Sequence, residues 1–173
     1  MVSEHFSSSD PAPLIVPYQS SWTNDFKRAA DRLMALGIPD LVCHHIGSTA
    51  VPELMAKPCI DVLGVVAEIQ SVRDQASRFE SLGYEYRGEY GIPGRAYFAM
   101  ARPRVHLHVF AEGHPQIDRH LEVVGRLQAS PEAVRALNVL KRSLADKFSE
   151  DQSSYQAGKA DFYEQLLSES EDT

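Results

Sequence analysis

The chain carries only two cysteines, Cys43 and Cys59, in 173 residues, with no Cys-x-x-Cys and no Cys/His pair at zinc-module spacing. A disulfide scaffold and a structural zinc finger are thereby excluded, and both cysteines read as reduced core residues in apolar, strand-like runs. No apolar run approaches the about 18 residues of a membrane-spanning helix, and no basic stretch followed by an apolar one opens the chain, so a cytoplasmic protein without membrane partners is expected. Net positive charge is missing too. Acids number 24 against 17 bases, giving −7, which argues against a broad duplex nucleic-acid surface. Internal repeats and linkers are absent, and 43% apolar with 24% charged residues suits one globular domain.

The charge that is present is unevenly spread. The last six residues, 168–173, hold three acids and no base, an acidic tail expected in solvent. Residues 84–126 hold six arginines (Arg87, Arg95, Arg102, Arg104, Arg119, Arg126), four histidines and no lysine, the one region suited to an anionic ligand. Residues 1–13 are Ser/Pro-rich and aperiodic, and read as a loose arm ahead of a domain spanning 14–167. Within that domain, helical spacing from Ser21 to Gly37 predicts a first amphipathic helix. Two β-branched runs follow, 41–47 and 57–66, joined by a loop with one helical turn. A helix over 69–82 precedes three strands punctuated by GIPG and RP turns, and helices over 116–129, 131–148 and 154–167 complete the chain. The order predicts an α+β domain: a mixed sheet of about five strands with flanking helices and a C-terminal helical segment.

Gly47-Ser48-Thr49 stands where the first strand ends. A glycine there lets backbone N–H groups approach an oxyanion closely, and the neighbouring hydroxyls add donors for phosphate oxygens. Asp61 lies inside the next strand between Ile60 and Val62. A carboxylate in a buried strand is costly unless it is paired or holds a cation. The pair therefore reads in two ways: as an anion and metal site, or as a plain turn with an aspartate that caps or ion-pairs a neighbour.

The segments HHIGSTAVPELMAKPCIDVLGVV, GEYGIPGRAYF and RVHLHVFAEGHPQIDRHL, with the opening VPYQSSWTNDF, resemble the GrpB family from about Ile15 to about Phe162. The resemblance implies a nucleotidyltransferase-like fold, in which a Gly-Ser loop precedes a strand bearing metal-binding carboxylates. Active nucleotidyltransferases carry Asp-x-Asp or Asp-x-Glu on that strand, since alternate strand residues share a face. Here the second position is Leu63. The strand that would supply a third carboxylate carries His106 and His108 instead. These two also share a face, so Asp61, His106 and His108 form a candidate catalytic and metal site for a divalent ion (Mg, Mn or Zn), its two imidazoles suiting zinc, manganese or iron. Without a metal, the histidines would donate to phosphate or serve structure alone.

Further candidates for phosphate or substrate binding are Lys57, Glu89, Arg95 and Lys159, beside Gly47, Ser48 and Thr49. Glu89 and Arg95 flank the GIPG turn, which reads either as a fixed arginine fork for phosphate or as a hairpin with a surface ion pair. His45, two residues before Gly47, reads as lining the site or as a core histidine. Tyr155, Lys159 and Phe162 are spaced for one helix face, with Lys159 reaching the pocket. The family's usual Phe-Arg-Asp-Tyr-Leu after His-Leu is absent, with Val123, Val124, Gly125 and Arg126 in its place. Two functions follow. One is metal-assisted phosphoryl or nucleotidyl transfer, or hydrolysis, on a nucleotide or other phosphorylated small molecule. The other is a non-catalytic nucleotide-binding or accessory module that has lost the second carboxylate.

Overall fold

The computed structural model describes residues 15–168. The proposed arm and all of the acidic tail except Ser168 lie outside them. Five strands, β1 (Val42–Ile46), β2 (Ile60–Val66), β3 (Glu85–Tyr86), β4 (Ala96–Ala101) and β5 (Arg104–Ala111), form one mixed sheet in the order β1-β2-β5-β4-β3. The central pair, β2 and β5, is parallel, and every other pairing is antiparallel. Central parallel strands are covered on both faces, which is why β2 reads as a nearly continuous apolar run, while His106 and His108 interrupt β5.

Side chains alternate across the sheet, and the register fixes which ones meet. Asp61 pairs with His106, and Leu63 with His108. Val62, Val105, Leu107 and Val109 point to one face, into a core with Trp22, Leu33, Val72, Phe79 and Phe98. Leu63 and Phe110 point to the other, into a core with Ile117, Leu127, Leu137 and Leu166. The first core is packed by α1 (Ser21–Met34), α2 (Ile69–Asp74) and α3 (Ala76–Glu80); the second is covered by α4 (Pro115–Ala129), α5 (Pro131–Lys147) and α7 (Ala160–Ser168), with α6 (Gln152–Ala157) leading into α7. The α+β architecture and five-stranded mixed sheet agree with the sequence reading.

Local chemistry sets the helix starts. Pro115 and Pro131 occupy the first turns of α4 and α5, and the His114 and Ser130 side chains accept hydrogen bonds from the Gln116 and Ala133 N–H groups. Two expected helices are broken. The 69–82 helix is interrupted at Gln75, whose φ of −109° and ψ of 18° leave the helical region. The 154–167 helix divides at Gly158 and Lys159, where the Lys159 N–H reaches back only three residues to Gln156 O (3.2 Å). Gly158 packs there against α5, with room for no side chain: a Cβ would stand 2.4 Å from Leu144 Cδ2. Tyr155, Lys159 and Phe162 consequently do not share one continuous helix.

Candidate functional site

The face of β2 and β5 that carries Leu63 and Phe110 also carries Asp61, His106 and His108, beyond the reach of the second core. A cavity of about 550 Å³ opens over them, between the sheet, the Gly47–Thr49 turn, α4, α5 and the α6–α7 corner. Asp61 is the focus. His106 Nδ1 and His108 Nε2 each lie 3.5 Å from its Oδ1. Burial would raise the Asp61 carboxyl, but the hydrogen bonds of His106 and His108 outweigh it and hold the group below the ordinary carboxylate range. Its remaining accessible surface, 30% of the side chain, opens into the cavity.

Gly47 meets Asp61 directly. Its φ of 72° and ψ of −171° belong to a region that only glycine enters readily, and a Cβ there would stand 2.7 Å from Asp61 Oδ2. The turn after β1 therefore needs glycine for conformation and for close approach to the carboxylate. Ser48 accepts a hydrogen bond from Lys141 Nζ (2.6 Å), which also donates to Met55 O (2.7 Å). Asn138, one turn earlier on α5, binds the Met55 N–H and Glu53 O, so α5 clamps the whole loop. Lys141 is 2% exposed. Burial, and after it the charge of Lys159, lowers its pKa well below the ordinary lysine value, with Asp61 opposing.

The other sequence candidates divide. Lys57 and Lys159 line the cavity, Lys57 donating to Gln152 Oε1 (2.5 Å) and Lys159 lying 4.7 Å from the centre of the Tyr155 ring. Thr49 lines it too, with its hydroxyl bound to His45 Nε2 (2.9 Å). His45 stacks on Phe26 of α1 and is not among the lining residues, which is the core role. Glu89 stands outside the cavity lining: its Oε1 accepts from the Gly94 N–H (2.8 Å) and pairs with Arg73 (3.1 Å), so it rigidifies the GIPG turn. Arg95 also lies off the lining. It is 1% exposed, with Nε donating to Glu89 O, Nη2 to Tyr90 O and Nη1 toward His108 Nδ1 (3.1 Å). Of the six arginines in 84–126, Arg104 and Arg119 line the cavity; Arg87 pairs with Glu85 and Arg126 with Glu122.

That last contact of Arg95 assigns a tautomer. An arginine has donors and no acceptor, so His108 Nδ1 must accept, and the proton of the neutral ring sits on Nε2, facing Asp61. The sequence reading missed four cavity residues. Lys141 lay in an ordinary amphipathic helix with no motif around it. His120 and Gln116 stand on α4, where His120 Nε2 and Gln116 Oε1 are buried without a hydrogen-bond partner among the described residues. Cys59 is a free, buried cysteine, as expected, but it also lines the cavity, and its Sγ, an Asp61 oxygen and a His106 nitrogen all lie within 4.8 Å of one another. The i, i+2 spacing of Cys59 and Asp61 was the available signal.

The five-stranded mixed sheet and its flanking helices form a nucleotidyltransferase-like fold. The Cid1 poly(U) polymerase shares it at a TM-score of 0.59 and 13% identity, over 83% of this chain and 49% of that one. Within that class the chain belongs to the GrpB protein family, whose match spans residues 13–169. It is similar to the crystal structure of conserved protein GrpB from Enterococcus faecalis, with 33% identity, a TM-score of 0.84, and 90% of this chain and 96% of that one covered. It is 35% identical over 148 residues, 84% of its length, to the UPF0157 protein YqkA of Bacillus subtilis (strain 168), and it spans 43% of that relative. Among the described residues no helix is long and apolar enough to cross a membrane.

Proposed function

We propose that the cavity binds a nucleotide or another phosphorylated small molecule, and that a divalent ion held at Asp61 assists transfer of its phosphoryl or nucleotidyl group. The observation that carries this is the sign of the lining. In a chain of net charge −7, the cavity is bordered by Lys57, Arg104, Arg119 and Lys159 against only Asp61 and Glu164 as acids, with the buried Lys141 amine as a further donor. Charged donors in a partly desolvated cleft bind phosphate oxygens strongly. The Gly47 turn brings backbone close to the ion-binding carboxylate, Ser48 and Lys141 offer donors beside it, and Lys57 and Lys159 extend the positive wall. Val123, Leu127 and Tyr155 give an apolar wall for a base or similar flat group. A divalent ion, when bound, supplies charge neutralisation at the phosphate oxygens.

A magnesium ion gripped by an Asp-x-Asp pair does not suit these residues, because Leu63, 0% exposed, packs into the second core where the second carboxylate would stand. That same observation favours a second reading, a nucleotide-binding module without turnover. Calorimetric titration with ATP and UTP, followed by a radiolabel transfer assay over a panel of acceptors, separates the two. Affinity in the micromolar range with label transfer supports the first reading; affinity without transfer supports the second. Lys159→Ala is expected to weaken ATP about 10-fold, the equivalent of one charge-assisted hydrogen bond. The absence of affinity for every phosphorylated compound tried removes both readings.

A further inference from the structure

We infer that Cys59, Asp61 and His106 form a binding site for a soft divalent transition ion, zinc above all, with His108 and Arg95 positioning Asp61 and not ligating. Cys59 immediately precedes β2, two residues before Asp61, and His106 on β5 is the register partner of Asp61. Strand register brings Asp61 and His106 together, and the lead-in to β2 sets the Cys59 thiol beside them. Their ligand atoms lie within 4.8 Å of one another, so small side-chain adjustments would bring them to the roughly 3.5 Å separation of donors around a tetrahedral ion with bonds of about 2.0–2.3 Å. All three border the cavity, so an ion held there keeps an open position toward a ligand, as catalytic zinc sites do.

The donor set decides the ion. Thiolate, imidazole and a single carboxylate suit zinc, whereas magnesium requires hard oxygen ligands that this face does not supply. Missing Asp-x-Asp and present Cys-x-Asp belong together: the second donor stands two residues before Asp61, at Cys59 just ahead of β2, and not two residues after it, where Leu63 is buried. His108 is excluded from the donor set by Arg95. Its Nδ1 accepts from the guanidinium and its Nε2–H faces Asp61 Oδ1, leaving no lone pair for an ion. It instead fixes the carboxylate, and Arg95, anchored on Glu89 O and Tyr90 O, fixes the imidazole. Such outer partners of a ligand typically contribute 10- to 100-fold to metal affinity. Zinc binding forms an ion–sulfur bond and releases the Cys59 thiol proton to solvent.

The inference rests on the proposed function only in placing an ion at Asp61, and zinc binding is measured with no nucleotide present. The full chain, stripped with EDTA, is titrated with zinc and with magnesium, and then loaded with cobalt as a spectroscopic reporter. One equivalent of zinc is expected, undisturbed by millimolar magnesium, and the cobalt form is expected to show a thiolate-to-metal charge-transfer band in the near ultraviolet. Cys59→Ser, which changes one atom, abolishes that band and weakens zinc by more than 100-fold, while Cys43→Ser keeps both. His108→Gln and Arg95→Lys weaken zinc by about 10- to 100-fold with the band retained. Failure to bind zinc, a cobalt form without the thiolate band, or loss of the band in His108→Gln overturns the site. If zinc binds as described but no phosphorylated ligand does, the proposed function fails and this site stands; if ATP binds equally well to Cys59→Ser and the wild type shows no thiolate band, the reverse holds.

Discussion

The two faces of the central sheet are built from the same two strands and have opposite characters. On the α1–α3 face, Val62, Val105, Leu107 and Val109 meet Trp22, Phe79 and Phe98 in a dry core. On the α4–α7 face, the residues between them, Asp61, His106 and His108, meet a cavity. The first face is apolar throughout, with only a small cavity of about 150 Å³ at its α1 edge; the other gives up apolar contact at one end to hold charge. Such a division is economical for a small domain, because a site on a strand inherits the rigidity of the core behind it.

The contrast can be broken most severely on the closed face. Leu107→Ala, at a position with no exposed surface, is expected to cost about 2–5 kcal/mol in a chemical denaturation midpoint while leaving ligand affinity of the folded fraction unchanged. Next comes the hinge between the faces. Gly47→Ala forces an alanine into a region only glycine favours and drives a methyl group into the Asp61 carboxylate; about 1–3 kcal/mol of stability and most of the ion affinity should be lost together, measured by denaturation and zinc titration on the same sample.

A smaller effect is expected at His120 on α4. Burial first, then the charges of Arg95 and Arg119, with Asp61 opposing, push its pKa down to about 4. A folded pKa below the unfolded one means that the unfolded chain binds the proton more readily between the two values. The stability associated with a neutral His120 is therefore complete above about 6.5 and is lost as pH falls toward about 4, at most about 3 kcal/mol spread over that window. His120→Gln should flatten the stability profile over that window, and an unchanged slope would assign the loss to another group. The least effect belongs to the rim. Arg119→Gln removes the ion pair with Glu164, whose side chain is 64% exposed, and should shift the midpoint by less than about 1 kcal/mol, and less still at high salt.

Much of the fold was legible because period and punctuation agree along the chain. The β-branched run at 60–66 and the His-Leu-His strand are unmistakable in period, and Ser130-Pro131 marks a helix start that the structure keeps. The breaks at Gln75 and at Gly158 were not legible, since each depends on what the helix packs against. In the site, Gly47 and Asp61 were visible as residues out of character with their surroundings. Lys141 was not, being one lysine in an amphipathic helix; only the docking of α5 on the 48–55 loop turns it inward. Glu89 and Arg95 looked equivalent in sequence, and the turn between them sends one outward to Arg73 and the other inward behind His108.

By itself the sequence determined the α+β order, the glycine at the carboxylate, and the strand faces, because these follow from local periodicity and backbone conformation. Which residues share the cavity was decided by tertiary structure alone. Strand register places His106 against Asp61, and the packing of α5 and of the α6–α7 corner brings Lys141 and Lys159 across more than 80 residues of chain. No local pattern encodes such contacts, since they form only when burial of the apolar faces fixes the elements against one another.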